Sequence, residues 1–199
     1  MTNVEKRINI YHLLSQVLAY RVPGDIVELG CNRGQASTLP QRIIEEYDPS
    51  RRLHVYDSFE GLPALDEKDA GSPYAAGTLE ATRDALLANF ESQGLRPPEI
   101  HQGWFNETLP NGLPNPIAFA YFDGDLYDSI KVSLEHVYPK LSRGAICLID
   151  DYADPVAHPE SWNLLPGVKA ACDEFLADKP EKVSCLYAAE MSHGYFRKA

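Results

Sequence analysis

The chain has 199 residues, of which 44% are hydrophobic and 24% charged, a composition typical of one soluble globular domain. Its formal net charge of −11 argues against nucleic acid or anionic membrane surfaces as partners, because these bind clustered lysine and arginine. The cysteines are scattered without a CxxC pair, no secretory leader is recognisable, and no apolar run is long enough to span a bilayer. We therefore expect a single domain over residues 1–199, located in the reducing cytoplasm, that acts on a small molecule.

The first 22 residues predict an amphipathic helix. Thr2 and Glu5 match a capping box at its start, and Pro23 and Gly24 end it. Its apolar stripe is expected to consist of Val4, Ile8, Tyr11, Leu14 and Leu18. Such a helix can cover a sheet, lie over a site or pack against another subunit, and the sequence leaves these three possibilities open.

A predicted strand over 25–28 runs into the segment ELGCNRGQAS, residues 28–37, where Gly30 and Gly34 flank a turn. Glycine allows a backbone to approach a ligand closely, and Glu28 can accept a hydrogen bond from one. The pattern matches neither the GxGxxG dinucleotide fingerprint nor the phosphate-binding GxxxxGK[ST] loop. It therefore indicates either a cofactor loop of another kind or an ordinary strand-to-helix turn.

A second strand, 53–56, also ends in an acid, within YDSFEGLP at residues 56–63. Asp57 is placed to accept two hydrogen bonds from a ribose diol, the usual role of an acid after the second strand in doubly wound folds. The alternative is a turn or capping acid. Residues 61–78 are rich in proline, glycine and acids without periodicity, which is typical of a lid or substrate loop.

A third, short strand is predicted over 99–102, after a helix that ends at Gly94. Gly103 follows this strand directly, and Trp104 and Phe105 come next. These two aromatic rings either line a nucleobase site or close one side of the core, and both interpretations stay open.

Two short apolar runs, 117–122 and 145–149, predict buried strands, and 127–141 between them predicts a helix. A strand, helix and strand of these lengths form a right-handed crossover with parallel strands. Acidic residues follow both strands, so these acids should meet at one edge of the sheet.

The acids in question are Asp123, Asp150 and Asp151. Carboxylates brought together repel one another unless a proton or cation intervenes, and oxygen ligands favour Mg²⁺ or a similar divalent ion. In the alternative interpretation Asp125 caps the following helix, while Asp150 and Asp151 merely end a strand.

The last third of the chain predicts a second loop over the site at 153–166, then a helix over 168–176. Two closing strands follow, over 183–188 and 194–198. The short turn between them indicates that the last strand is antiparallel, which would bring His193 to the same edge as the acids.

Taken together and in this order, the segments VELGCNRG, YDSFEGLP, GWFNETLP, FDGDLYDS and LIDDY resemble the macrocin O-methyltransferase family. The likeness covers most of residues 24–198 and includes the closing HGYFRK. It implies an α/β fold, the three-layer, doubly wound class I methyltransferase sheet of seven strands with the last one antiparallel. It also implies S-adenosylmethionine as cofactor and Mg²⁺ as the metal.

Carried over by motif, the resemblance implies roles for individual residues. The residues implied to bind the cofactor are Glu28, Gly30, Asp57, Ser58, Gly103, Trp104 and Asp123. Those implied to bind the metal are Asp123, Asp150 and Asp151. Asp123 is also the expected catalytic proton acceptor, with His158 or a water molecule as the alternative.

The resemblance predicts methyl transfer to a hydroxyl of a small molecule, above all a sugar or other vicinal diol of a natural product or glycan. The alternatives are a catechol or phenol O-methyltransferase and a non-catalytic S-adenosylmethionine-binding subunit. A nucleotide-binding oxidoreductase would need the dinucleotide fingerprint that is missing here. Relatives are often homo-oligomers, so self-association is also expected.

Overall fold

Seven strands form one mixed sheet, around which the computed structural model describes residues 3–199. The strands are β1 (Asp25–Leu29), β2 (Leu53–Asp57), β3 (Glu99–Gln102), β4 (Ile117–Phe122), β5 (Leu141–Asp150), β6 (Ser184–Ala188) and β7 (Met191–Arg197). Their order in the sheet is β3-β2-β1-β4-β5-β7-β6. β7 is antiparallel to both of its neighbours, whereas β1 to β5 pair in parallel. The predicted seven-stranded α/β fold with an antiparallel last strand is therefore confirmed.

Helices cover this sheet in two layers. They are α1 (Val4–Ala19), α2 (Thr38–Tyr47), α3 (Arg83–Ser92), α4 (Phe105–Gly112), α5 (Tyr127–Val137) and α6 (Pro166–Leu176). α1 packs on α2, while α5 packs on both α4 and α6. No helix within residues 3–199 is both long and apolar enough to cross a membrane.

The centre of the sheet brings the acidic strand ends to one edge. All six residues of β4 are buried, which explains why this segment is apolar without alternation. Phe122 at the end of β4 pairs with Leu29 of β1 on one side and Ile149 of β5 on the other. The residues that follow these three strands must therefore lie side by side.

The buried face of α1 differs from the predicted stripe. Val4, Ile8 and Tyr11 are 65%, 58% and 43% exposed, so of the predicted stripe only Leu14 and Leu18 lie in the core. The buried residues of this helix are instead Lys6, Ile10, Leu13, Leu14, Val17 and Leu18. Ile10, Leu13, Leu14 and Val17 are spaced i, i+3, i+4 and i+7, so they form a second apolar stripe, and this stripe faces the core. The same face carries Lys6 to the buried carboxylates. The predicted cap Thr2 lies outside the described residues, and the Asn3 side chain caps the helix by accepting from the Lys6 amide.

Two further elements depart from the sequence prediction. The helix predicted over 127–141 ends at Val137, where a 3₁₀ turn, Tyr138–Lys140, leads directly into β5. Pro139 explains this end, since proline disfavours α-helical backbone in the residue before it. α4 was not expected, because its eight residues include Pro110 and a glycine and bury only Leu109.

Candidate active site

A cavity of about 560 Å³ opens at the carboxyl edge of the sheet. Its walls are the turns after β1, β2, β3, β4 and β5, together with Lys6 of α1 and part of the segment 61–78. A cavity of this size can hold a small molecule or a cofactor. None of residues 153–166 lines it, although these residues were expected to form a second loop over the site.

The turn after β1 is held against the turn after β4 through Gly30. Gly30 has φ +90°, and a Cβ added there would lie 1.9 Å from the backbone oxygen of Asp123. Only glycine allows the two backbones to approach so closely. The sequence predicts that this glycine admits a ligand; the group that the structure places against it is the Asp123 backbone, and the approach of a ligand stays a prediction.

Asp57 fixes the shape of the same loop. Its Oδ2 accepts hydrogen bonds from the backbone amides of Cys31 at 3.0 Å and Asn32 at 2.8 Å, and its Oδ1 accepts from the Phe59 amide at 2.7 Å. Asp57 also lines the cavity. The carboxylate thus joins the ends of β1 and β2 and still faces the space where a ligand would bind.

Glu28 occupies a different environment from the other predicted cofactor residues. It is 1% exposed, neither carboxylate oxygen has a hydrogen-bond partner, and it does not line the cavity. Burial raises the pKa of Glu28 to about 8, and the nearby Ser37 hydroxyl opposes this rise. The structure therefore places this acid within the fold, adjoining the loop but not in the cavity wall.

The remaining residues predicted to bind the cofactor all line the cavity, and the turns shape their positions. Gly103 has φ +139°, and its amide donates to the Asp57 carbonyl at 2.9 Å. Ser58 stabilises the turn after β2, where its hydroxyl accepts from the Glu60 amide at 3.0 Å. Trp104 and Phe105, both partly buried, form the wall at the start of α4. Both residues line the cavity and Phe105 also packs against the core, so the two sequence interpretations both stay open.

Three carboxylates converge beside this wall. Oxygen atoms of Asp123, Asp125 and Asp151 all lie within 4.8 Å of one another. Asp125 and Asp151 adopt left-handed backbone, with φ +60° and +55°, which turns both side chains into the cluster at a cost of about 1–2 kcal/mol each. The arrangement provides only hard oxygen donors, the ligand type that suits Mg²⁺.

Burial and mutual repulsion perturb these acids. Burial, followed by the Asp150 carboxylate, raises the pKa of Asp125 to about 7. The same two causes raise the pKa of Asp123 and of Asp151 well above the usual range of an aspartic acid. Such shifts are typical of functional sites, and here the nearby Lys6 ammonium opposes the rise in pKa without cancelling it.

Asp150 belongs to the same edge but is bonded differently. Its Oδ1 lies 2.5 Å from Lys6 Nζ and 3.0 Å from His193 Nε2, and its Oδ2 accepts from the Tyr121 hydroxyl at 3.0 Å. The His193 contact is an electrostatic approach, since its N–H is not aligned for a hydrogen bond. Although burial opposes ionisation, His193 and Lys6 hold the pKa of Asp150 well below its usual range.

The three predicted metal ligands thus meet at one edge, but Asp150 is oriented toward Lys6, and Asp125 takes its place among the converging oxygens. Asp125 was considered only as a helix cap; the repeated acid in FDGD was the available signal. Lys6 was not identified from the sequence as a site residue. The available signal was that this lysine lies on the same face of α1 as the apolar residues Ile10 and Val17. His158, the alternative proton acceptor, is exposed and does not line the cavity.

The helix cap expected from Asp125 comes instead from the segment 61–78. Asp69, which is fully buried, accepts a hydrogen bond from the Tyr127 amide at the first residue of α5, at 2.9 Å. Leu62 and Thr78 close the base of the segment through a backbone hydrogen bond of 2.8 Å. Its Tyr74 lines the cavity. Burial, followed by the carboxylates of the cluster, raises the pKa of the Tyr74 phenol.

The strand order, the antiparallel last strand and the ligand-sized cavity at the carboxyl edge define a class I methyltransferase fold. Among solved structures, the O-methyltransferase NovP superposes with a TM-score of 0.82 at 28% identity, over 99% of this chain and 81% of that one. The calicheamicin methyltransferase CalS11 gives a TM-score of 0.77 at 26% identity, over 98% and 80%.

The family model described as Macrocin-O-methyltransferase (TylF) matches residues 1–177, and the chain belongs to this family. A Streptomyces olivaceus relative, 8-demethyl-8-(2,3-dimethoxy-alpha-L-rhamnosyl)-tetracenomycin-C 4'-O-methyltransferase, is 35% identical over 77% of this chain and 62% of its own length. Demethyldecarbamoylnovobiocin O-methyltransferase of Streptomyces niveus is 32% identical over 89% and 67%. The chain therefore spans about two thirds of the length of these relatives.

Proposed function

We propose that this protein is an S-adenosylmethionine-dependent O-methyltransferase that acts, with Mg²⁺, on a hydroxyl of a sugar or other vicinal diol in a natural product or glycan. The observation that carries the proposal is the convergence of Asp123, Asp125 and Asp151 in the wall of a cavity that Gly30 and Trp104 also line. One cavity thus contains a hard-oxygen cluster beside a glycine loop and aromatic wall suited to a nucleoside.

The residues on the cofactor side fit S-adenosylmethionine, which when bound supplies a methyl group on a sulfonium centre. Gly30 and Gly103 lie in turns that line the cavity, and Asp57 presents a carboxylate suited to ribose hydroxyls. Trp104 offers an aromatic face for the base. Residues of this chain would thereby hold and orient the cofactor.

The acid cluster fits Mg²⁺, which when bound would lower the pKa of a hydroxyl and hold two neighbouring oxygens. Asp123, Asp150 and Asp151 are the proposed ligands, and Asp125 adds a fourth carboxylate at the same place. Asp123 is the proposed catalytic residue, since it follows the central strand and lies between the glycine loop and the other acids. Its carboxylate would accept the proton of the acceptor hydroxyl as methyl transfer begins.

The acceptor would enter between Tyr74 and the acid cluster. Tyr74 lines the same cavity as the acids and offers an aromatic ring and a hydroxyl to a sugar, while the carboxylates of the cluster can bind hydroxyl groups. Support for a sugar also comes from the relative whose name includes a rhamnosyl group. Because the chain spans about two thirds of that relative, the acceptor itself is part of the proposal.

The test is transfer of an isotopically labelled methyl group from S-adenosylmethionine to a panel of 6-deoxyhexosides and catechols, with Mg²⁺ or with excess chelator. We expect transfer to the sugars that is lost with chelator. Asp123→Asn should reduce turnover at least about 100-fold, the usual contribution of a positioned proton acceptor. The matched control Asp84→Asn, which changes an exposed acid in the first turn of α3, should keep full activity.

Three outcomes would contradict the proposal in different ways. Transfer that is confined to catechols would refute a sugar acceptor. Transfer that withstands chelator would refute the metal. Binding of S-adenosylmethionine without transfer to any member of the panel would favour a non-catalytic subunit.

A further inference from the structure

Lys6 places a buried positive charge within the acid cluster. The residue is 3% exposed, and its ammonium lies 2.5 Å from Asp150 Oδ1 and 3.2 Å from Asp151 Oδ1. It also lines the cavity. A lysine is rarely so deeply buried unless it is paired, and here its partners include two of the proposed metal ligands.

The position of Lys6 is set by the docking of α1. Asn3 caps the helix through the Lys6 amide at 2.8 Å, and its Nδ2 donates to the carbonyl of Ala188 at 2.8 Å. One turn further along, Asn9 donates to the Tyr187 carbonyl at 2.9 Å. These bonds join α1 to the end of β6 on both sides of Lys6. The backbone of α1 at Lys6 is therefore fixed relative to the sheet, and the ion pairs with Asp150 and Asp151 position the ammonium.

Side chains from three different elements contact the Asp150 carboxylate. Lys6 comes from α1, His193 from β7 and Tyr121 from β4. Nδ1 of His193 lies 3.3 Å from Asn9 Nδ2. Helix α1 therefore contacts Asp150 directly through Lys6 and contacts its neighbour His193 through Asn9. The Asp150 carboxylate is thereby directed toward Lys6 and away from the three converging oxygens.

We infer that Lys6 is a resident cation that shares the carboxylate cluster with the divalent ion, orients Asp150 and weakens the ion's binding. The inference rests on the metal site of the proposed function. The ammonium pairs with Asp150 and Asp151, and it repels a second cation bound by the same group of acids. Removal of the ammonium would also release Asp150 from its ion pair, so that its carboxylate could bind the divalent ion more fully.

The experiment measures Mn²⁺ binding without any acceptor, by electron paramagnetic resonance of the free ion at physiological salt. The wild-type protein is compared with Lys6→Met, which removes the charge, and Lys6→Arg, which retains it. Arg7→Met is the matched control, because it removes one positive charge from the adjacent, exposed position of the same helix. Calorimetric binding of S-adenosylhomocysteine and thermal unfolding report whether each variant is folded.

We expect Lys6→Met to lower the Kd for Mn²⁺ by about tenfold or more, since a like charge a few ångströms away at an effective dielectric near 20 is worth at least that factor. Mn²⁺ should also raise the melting temperature of Lys6→Met more than that of the wild type. Lys6→Arg should bind within about threefold of the wild type, and Arg7→Met should be unchanged because exposed charges are screened. If Lys6→Met does not fold, Lys6→Gln, a neutral side chain that can still donate to Asp150, gives the same comparison.

Unchanged or weaker Mn²⁺ binding in the charge-removing variants, with normal binding by the wild type, would overturn the inference and leave the proposed metal site intact. Binding by Lys6→Met but not by the wild type would support Lys6 as the resident cation and refute a metal in the proposed function. Absence of binding in all of these proteins would refute both.

Discussion

The contact between the two site turns can be tested by replacing Gly30 with alanine. Gly30 has φ +90°, and a Cβ at this position would lie 1.9 Å from the oxygen and 2.7 Å from the carbon of the Asp123 carbonyl. Ordinary contact begins above 3 Å, so the ends of β1 and β4 would have to separate by about 1 Å. The atoms concerned belong to the backbone, which cannot move aside as a side chain can.

Gly71→Ala is the matched control for this change. Gly71 has φ +98°, nearly the same backbone conformation, but an added Cβ there meets nothing within 4 Å. Its alanine variant should lose about 1–2 kcal/mol of unfolding free energy, the cost of positive φ alone. Gly30→Ala should lose that amount plus the separation of two packed strand ends, about 3 kcal/mol or more in total.

Urea denaturation measures both free energies of unfolding, and calorimetry with S-adenosylhomocysteine measures the functional consequence. Because Gly30 joins the cofactor loop to the turn that carries Asp123, Gly30→Ala should weaken S-adenosylhomocysteine and Mn²⁺ binding together, each by about tenfold or more. Gly71→Ala should leave both affinities unchanged. Equal losses of stability in the two variants, with both ligands bound normally by Gly30→Ala, would refute the reasoning.

Two further predictions concern buried acids. Asp69→Ala removes the hydrogen bond that caps α5 at the Tyr127 amide, and it should lower the free energy of unfolding in urea by about 1–3 kcal/mol. Turnover should also fall, because Asp125 lies just before that helix. Full activity of this variant would contradict a coupling between the cap and the acid cluster. Glu28→Gln tests pH dependence. With a pKa of about 8 in the fold and an ordinary value when unfolded, Glu28 takes up a proton on folding between about pH 4.5 and 8. Wild-type stability relative to Glu28→Gln should therefore fall as pH rises through that window, by at most about 1.4 kcal/mol per unit in urea denaturation, and a constant difference would exclude the shift.

Much of the fold follows from local patterns in the chain. Short apolar runs such as Ile117–Phe122 favour buried strands of a parallel sheet, and parallel strands need a crossover, usually a helix, to connect them. The prediction fails where tertiary contacts outweigh the local pattern. α4 buries a single residue, so its eight positions carry no apolar stripe. In α1 the apolar residues fit two faces, and the one observed buries Ile10, Leu13 and Val17 while carrying Lys6 to the acids.

The site divides in the same way. The sequence by itself determined that Asp123, Asp150 and Asp151 meet at one edge, because parallel strands joined by a crossover must end together. Only the tertiary structure decided that Asp125 turns into the cluster. The same is true of the pairing of Lys6 with Asp150 and Asp151, which lie 144 and 145 positions further along the chain. These outcomes depend on left-handed backbone at single residues and on how α1 docks against the end of β6. Neither feature produces a periodic pattern in the sequence, because both depend on charge and packing between segments that are distant in the chain.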